Sequence, residues 1–305
     1  MRALVSTPDG PAPAEIREVE EPSPAPNELL LEVRAASLNR GELRLLPNRP
    51  GWRPGQDVAG VVARAAGDGS GPPEGTRVAG IVDQGGWAER VAAPTSRVAR
   101  LPDGVELGAA ATLGVAGLTA LRALRLGGPL LGRRVLVTGA SGGVGRFAVQ
   151  LAAIAGAEVT ASVGSAARGA GLRELGAVAV VLEGDTLDAQ FDLVMEGVGG
   201  PSLERSAHAL ARDGVVALYG AMSAEPARIG LGDLRGGPFG RIQGFFIYES
   251  GVETFGRDLG LLVGLVAEGR LRPQVGLEVS WRELGTAMER LRGRQVNGKV
   301  VLRID

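Results

Sequence analysis

Arg133-Arg134-Val135-Leu136-Val137-Thr138-Gly139-Ala140-Ser141-Gly142-Gly143-Val144-Gly145-Arg146-Phe147-Ala148-Val149-Gln150-Leu151-Ala152 reads as a β-strand, a glycine-rich turn and an amphipathic helix in direct succession. Val135, Leu136 and Val137 form the unbroken aliphatic run of a strand buried on both faces. Val144, Phe147, Ala148, Leu151 and Ala152 recur at helical spacing. Between these segments, Gly139, Gly142 and Gly145 are spaced for a tight turn, a close backbone approach to a pyrophosphate and close packing of helix on sheet. The pattern points to a dinucleotide, whose negative charge would sit on the unpaired N–H groups and positive dipole end of the helix. Glycine triplets alone are weak evidence in a chain with 49 glycines, so the flanking strand and helix carry the reading. Glu158-Val159-Thr160-Ala161-Ser162-Val163 then supplies a second strand and completes a βαβ unit of about 30 residues.

Working outward, the 305 residues exceed one domain of ordinary size. Lys and Arg together number 33 against 34 Asp and Glu, and no long basic run exists to neutralise phosphates, which argues against a nucleic-acid partner. Cysteine is absent, which removes disulfides, thiolate metal sites and cysteine nucleophiles together. Residues 107–121 are apolar but rich in Ala and Gly, and they stop at Arg122, short of the roughly 20 residues of a membrane span. A packed helix is expected there. Met1-Arg2-Ala3-Leu4-Val5 followed by Thr7-Pro8-Asp9-Gly10 lacks a signal-peptide core and reads as a strand entering a turn, so a cytoplasmic protein is expected. Lys299 is the only lysine, a bias that genome composition explains more simply than function.

Up to about Leu101 the texture is one of short strands bounded by Pro and Gly, at residues 14–19, 28–33, 58–62, 77–82 and 87–91. From Leu113 onward helices alternate with buried strands, including residues 191–195 and 214–219 with a helix near residues 203–210 between them, and a further strand is expected at residues 242–247. Gly298-Lys299-Val300-Val301-Leu302 returns to β character. A cofactor domain inserted into a discontinuous β domain is therefore expected.

Four segments together resemble the zinc-independent medium-chain dehydrogenase/reductase superfamily, in its quinone oxidoreductase group. They are Ala36-Ser37-Leu38-Asn39-Arg40-Gly41-Glu42, Pro54-Gly55-Gln56-Asp57-Val58-Ala59-Gly60-Val61-Val62, Val115-Ala116-Gly117-Leu118-Thr119-Ala120-Leu121 and the glycine-rich turn. The resemblance implies an α/β fold with a Rossmann doubly wound parallel sheet inserted in a GroES-like β-barrel domain. It further implies a cleft holding NADPH, a small-molecule substrate and a homodimer. The boundaries expected are residues 1–112 and 248–305 for the GroES-like catalytic domain and 113–247 for the NADPH domain. Zinc-dependent relatives place a cysteine at Asn39 and a histidine at Gln56, and here neither is present. Three Cys, His, Asp or Glu ligands are needed for a catalytic zinc, so no metal is expected. The single histidine, His208, reads as an ordinary helix residue. A short-chain dehydrogenase also fits the glycines of the turn, but that family opens with them near its N-terminus and needs a Tyr-x-x-x-Lys pair that neither Tyr219 nor Tyr248 forms.

NAD enzymes carry an acid about 20 residues beyond the glycines. Here the second strand is followed by Gly164, Ser165 and, shortly after, Arg168, which favours the phosphate of NADPH. The competing reading of Arg168 is a solvated helix residue. The family's tyrosine further on is missing from Val180-Val181-Leu182-Glu183. With Gly139, Ser141, Gly142, Gly143 and Val144, these residues form the expected cofactor set, to which the resemblance adds Thr119, Tyr219, Phe245, Phe246 and Lys299.

Without a metal, carbonyl reduction lacks its Lewis acid, and conjugate hydride addition to a quinone or enone is the easier reaction. Asn39 is the catalytic candidate by resemblance, and with Glu42 it also has the form of a helix capping box. Trp52 is the candidate to stack on a flat substrate. Thr119 reads also as a helix residue bonding its own backbone. Two other readings stay open: an enoyl reductase of a polyketide or fatty-acid pathway, and a cofactor-binding structural or regulatory protein with little turnover.

Overall fold

The computed structural model describes residues 1–7, 12–230, 232–233 and 240–305; the turn expected over Pro8, Asp9 and Gly10 lies outside them. The chain divides into two units, residues 1–118 with 251–305 and residues 119–250. In chain order the first unit contributes β1 (Arg2–Ser6), β2 (Ala14–Glu18), β3 (Glu28–Leu38), α1 (Arg40–Leu45), β4 (Asp57–Arg64), β5 (Arg77–Ile81), β6 (Arg90–Pro94), β7 (Val98–Arg100) and α2 (Leu107–Ala110). A π-helical turn at Leu113–Gly117 runs into α3 (Leu118–Leu124). The second unit continues with β8 (Arg134–Val137), α4 (Gly143–Ile154), β9 (Glu158–Val163), β10 (Ala177–Leu182), β11 (Phe191–Glu196), α5 (Pro201–His208), β12 (Leu210–Leu218) and β13 (Arg241–Gly244). The chain then returns to the first unit with α6 (Phe255–Ala267), β14 (Val275–Ser280), α7 (Leu284–Arg292) and β15 (Lys299–Arg303).

In the first unit the sheet order is β14-β15-β3-β4-β5-β7, with β6 also paired to β3. Leu29, Leu31 and Leu38 of β3 are buried in one apolar cluster with Trp87 and Trp281. Register decides what the sheet brings together. Val300 of β15 lies opposite Leu38 of β3, and Asp57 of β4 lies opposite Ser37. Asn39 after β3 and Asp57 opening β4, 18 residues apart, therefore converge with Lys299 opening β15, more than 240 residues further along the chain.

The second unit is a six-stranded parallel sheet in the order β10-β9-β8-β11-β12-β13. Counting from β8 this is the 3-2-1-4-5-6 order of a dinucleotide-binding fold, and the order reverses between β8 and β11. Val135, Val137, Val159, Leu193 and Val194 in its strands are withdrawn from solvent, as strands covered on both faces require. Among the described residues no helix is long and apolar enough to cross a membrane.

Three expectations need correction. The strand expected at residues 87–91 begins only at Arg90; Trp87 instead accepts the Leu4 N–H on its carbonyl at 2.9 Å and sinks its indole into the core. The strand expected at residues 242–247 ends at Gly244; Phe245 N–H still donates to Leu218 O at 2.8 Å, after which Ile247–Glu249 turn as a 3₁₀ segment. The single helix expected at residues 107–121 is interrupted by the π-helical turn, whose cause is the site described below.

Candidate active site

In the second unit β8 ends at Val137, and Thr138 Oγ1 donates to Glu196 Oε1 at 2.9 Å. Gly139 turns the chain at φ 57°, a left-handed conformation suited to glycine. At Gly145 a Cβ would stand 2.6 Å from Gly139 O and 2.7 Å from Ala140 Cα, so only glycine lets α4 start this close to the strand. Gly142 caps α4 without a side chain, and nothing from the cap itself satisfies the first-turn amides that Gly143 and Val144 open. A glycine turn whose helix start receives no capping side chain fits an anion such as a pyrophosphate.

Beyond β9, Ser165 opens the 3₁₀ turn Ala166–Gly169, which carries Arg168. Arg168 Nε donates to Ser141 Oγ at 2.9 Å, placing its guanidinium at the glycine-rich turn. A second guanidinium, Arg146, donates from Nη2 to Ala170 O at 2.9 Å; burial, with Arg168 beside it, holds its pKa below the usual arginine range. An acid is also near: a Cβ at Gly164 would lie 3.7 Å from Glu183 Oε2, and Glu183 pairs with Arg205 at 3.7 Å.

Past β11 the loop 197–200 is organised by one carboxylate. Glu196 is buried, and its Oε1 accepts the N–H groups of Val198 at 2.7 Å and Gly199 at 3.0 Å, while Oε2 accepts Ser206 Oγ at 2.6 Å. Tyr219, leaving β12, lies over Gly197, where a Cβ would meet Tyr219 Oη at 2.6 Å. Burial, reinforced by Glu196, pushes the Tyr219 phenol up. Phe245 and Phe246 follow β13, and Phe246 packs edge-on to Tyr248 at 5.4 Å. Thr119 is buried on α3.

The first unit holds a separate polar cluster in its core. Asn39 caps α1 in a capping box with Glu42, whose Oε2 accepts the Asn39 N–H at 2.7 Å. Asn39 Nδ2 donates to Asp57 Oδ2 at 3.0 Å, and Asn39 Oδ1 accepts from Lys299 Nζ at 2.5 Å. Lys299 Nζ also donates to Asp57 Oδ2 at 3.2 Å and to Leu38 O at 3.1 Å. Ser37 Oγ donates to Asp57 Oδ2 at 2.6 Å, and the N–H of Val115 to Asp57 Oδ1 at 2.6 Å. That last bond explains the π-helical turn, which presents Val115 N–H to the carboxylate while Gly114 keeps a Cβ from striking it. Glu42 is wholly buried and, among the described residues, its Oε1 has no hydrogen-bond partner. Burial, then the charge of Asp57, pushes its carboxyl up to about 8.

The structure thus brings together Gly139, Ser141, Gly142, Gly143, Val144, Gly164, Ser165 and Arg168 in one unit, and Asn39 with Lys299 in the other. Trp52 Nε1 donates to Gln84 Oε1 at 2.8 Å, and the Arg49 guanidinium lies over its ring. Sequence reasoning missed Asp57, Glu196, Arg146 and Glu183, and read Glu42 only as a capping partner. Asp57 lay inside a quoted segment and Glu42 in the capping box, but burial beside a lone lysine was the signal needed. The donor set does not fit a zinc ion. There is no cysteine, and the one histidine bonds Glu204 O at 2.8 Å and Asp233 at 3.0 Å. Among the described residues no three His, Cys, Asp or Glu side chains group to hold a metal.

Comparison with known proteins follows the same lines. The alcohol dehydrogenase GroES-like domain family matches residues 25–103, and the zinc-binding dehydrogenase family residues 173–302. A quinone oxidoreductase structure from Coxiella burnetii superposes over 100% of this chain and 99% of its own, with a TM-score of 0.87 at 26% identity. The chain belongs to the medium-chain dehydrogenase/reductase superfamily, in its quinone oxidoreductase group. Within that family it is 38% identical over 184 residues to the chloroplast envelope quinone oxidoreductase homolog of Arabidopsis thaliana, covering 54% of this chain and 56% of that protein. It is 36% identical over 313 residues to erythronolide synthase EryA2 of Saccharopolyspora erythraea, covering 96% of this chain and 8% of the synthase. The chain therefore spans about half of the first relative and a small part of the second. For this family the GroES-like unit and the Rossmann sheet are the expected fold, and both are present.

Proposed function

We propose that this superfamily member is an NADPH-dependent, zinc-free reductase that adds hydride to a quinone or α,β-unsaturated carbonyl compound. The observation that carries the reading is Arg168 anchored on Ser141 at 2.9 Å, a guanidinium fixed beside the glycine-rich turn where a dinucleotide's adenosine phosphate needs a cation. NADPH, when bound, supplies the hydride. Gly143 and Val144 amides at the start of α4 receive the pyrophosphate charge, and Arg168 with Ser165 takes the 2′-phosphate. Thr119, Tyr219, Phe245 and Phe246 are assigned to the rest of the cofactor by resemblance, and Trp52, for its flat aromatic ring, to stack on the substrate. In the first unit Asn39 offers an N–H donor to a carbonyl oxygen on which charge grows as hydride arrives. Solvent supplies the second hydrogen. A homodimer is proposed with it.

The match to a polyketide synthase over 96% of this chain favours a second substrate for the same chemistry, an enoyl thioester. Following NADPH oxidation with quinones, 2-enones and enoyl thioesters in parallel tests both. Turnover of none of the three sets the reductase reading aside and leaves a cofactor-binding protein.

A further inference from the structure

An asparagine amide has two ends of equal size and opposite chemistry: Oδ1 accepts, Nδ2 donates. At Asn39 the surroundings distinguish them. Lys299 Nζ can only donate, and it faces Oδ1 at 2.5 Å; Asp57 Oδ2 accepts from Nδ2 at 3.0 Å. Turning the amide over would set an NH₂ group against an ammonium and an oxygen against a carboxylate. The lysine is committed to this task. It has three N–H donors, and Leu38 O, Asn39 Oδ1 and Asp57 Oδ2 accept them at 3.1, 2.5 and 3.2 Å. Its side chain is 4% exposed. Asn39 keeps one Nδ2 hydrogen for which no acceptor is seen among the described residues. A cation on Oδ1 also draws electron density through the amide and strengthens that remaining donor.

We propose that Lys299, which the resemblance assigns to the cofactor, is instead a positioning residue acting through Asn39, its three donors already taken, and that it fixes the amide so that it presents a hydrogen-bond donor, never an acceptor, to the oxygen of a carbonyl substrate. The inference rests on the reductase reading of Asn39. It selects a substrate class by polarity: a quinone, enone or thioester oxygen is accepted there, and a group that presents only N–H or O–H donors is not.

The test compares wild type, Asn39→Ala, Lys299→Met, Lys299→Arg and the Asn39→Ala/Lys299→Met double variant. Side-chain NH₂ signals of Asn39 in ¹⁵N-labelled protein, assigned by their loss in Asn39→Ala, report the amide without cofactor. NADPH affinity is read by fluorescence titration, and kcat and KM with a 2-enone. Lys299→Met is expected to shift the Asn39 NH₂ signals, lower kcat tenfold or more, and leave NADPH affinity within twofold. The double variant is expected to be no slower than the slower single variant, since the lysine acts through a group already removed. If Lys299→Met does not fold, Lys299→Arg keeps the charge opposite Asp57 but not the ammonium's geometry, and carries the same kinetic and NMR comparison. Weaker NADPH binding with unchanged kcat, additive losses in the double variant, or unmoved NH₂ signals would each overturn the proposal. If Asn39→Ala retains full kcat while Lys299→Met still moves the signals, the amide positioning stands and the assignment of Asn39 to the reaction falls.

Discussion

Lys299 and Asp57 form an ion pair 3.2 Å long from which water is excluded, with side-chain exposures of 4% and 0%. Desolvating two charges is expensive, and the pair survives because its remaining lone pairs and protons are all bonded. Asp57 is the more heavily used partner, accepting from Ser37, Asn39, Lys299 and Val115. Replacing Asp57 by Asn leaves the lysine's charge uncompensated in the core. Urea denaturation is expected to show a loss of about 3–5 kcal/mol, the usual effect of removing one member of a buried pair. A loss below about 1 kcal/mol would mean that the site is hydrated.

Glu42 sets a pH dependence of opposite sense to that of a paired surface acid. Its carboxyl is raised from 4.5 to about 8 by burial and by Asp57, against weaker opposing help from the Asn39 N–H and Lys299. The folded state therefore holds a proton that the unfolded chain releases at lower pH. Stability from this group is complete below about pH 4.5, declines as pH rises, and is lost above about pH 8. The wild-type curve minus that of Glu42→Gln should fall by a few kcal/mol, on the order expected for such a shift, across that window. Parallel curves would show that Glu42 is ionised in the native protein at neutral pH.

The difference between what the chain announces and what it conceals follows from how local each signal is. The β8–turn–α4 segment is legible because strand, glycines and helix are contiguous, and the capping box of Asn39 and Glu42 because it spans four residues. The Asn39–Asp57–Lys299 cluster is not legible, since it exists only once β15, β3 and β4 pair in one register. Lys299 in particular looks like a compositional accident until its three acceptors are located. The π-helical turn at Leu113–Gly117 is hidden for the same reason: its cause, the carboxylate of Asp57, is distant in sequence. Glu183 reaches Gly164 from the neighbouring strand, where a search for an acid along β9 alone does not look.

On the proposed reading, cofactor choice rests on the balance between Arg168 and Glu183. Losing the Arg168 contact to a phosphate, worth about 1.5–3 kcal/mol for a charged hydrogen bond, should weaken NADPH binding roughly 10- to 100-fold in Arg168→Ala and leave NADH nearly unchanged. Glu183→Gln should move preference the other way, toward NADPH, by removing an anion near Gly164. Titrating both cofactors against both variants checks the pair. Equal NADPH affinities in wild type and Arg168→Ala would reassign that guanidinium to the surface.

The edge of the Rossmann sheet predicts an assembly. Strand β13 ends the sheet order, with β12 on one side. Just beyond it Phe246 is 59% exposed, a large apolar ring beside a strand edge that no other described strand pairs. A homodimer joined near residues 242–248 would cover both. Sedimentation velocity at micromolar concentration should give a dimer for the wild type and a shift toward monomer for Phe246→Glu; a wild-type monomer would reject the interface.

The course of the reduction is the most demanding prediction. A chain without cysteine and with one histidine, itself bonded to Glu204 and Asp233, offers no zinc to polarise an isolated ketone. What it offers is a single oriented amide donor at Asn39, enough for charge already delocalised through a conjugated system. Hydride from deuterated NADPH should therefore appear on the β-carbon of an enone, and solvent deuterium on the α-carbon. Dialysis against a chelator should leave the rate unchanged. Asn39→Ala should reduce kcat by tenfold or more, whereas the lost cap lowers stability by about 1 kcal/mol, so a fall in activity at a temperature well below melting isolates the chemical role. Reduction of a simple ketone to its alcohol, with enones and quinones left untouched, would contradict the mechanism, because the oxygen would then need a stronger electrophile than an amide N–H.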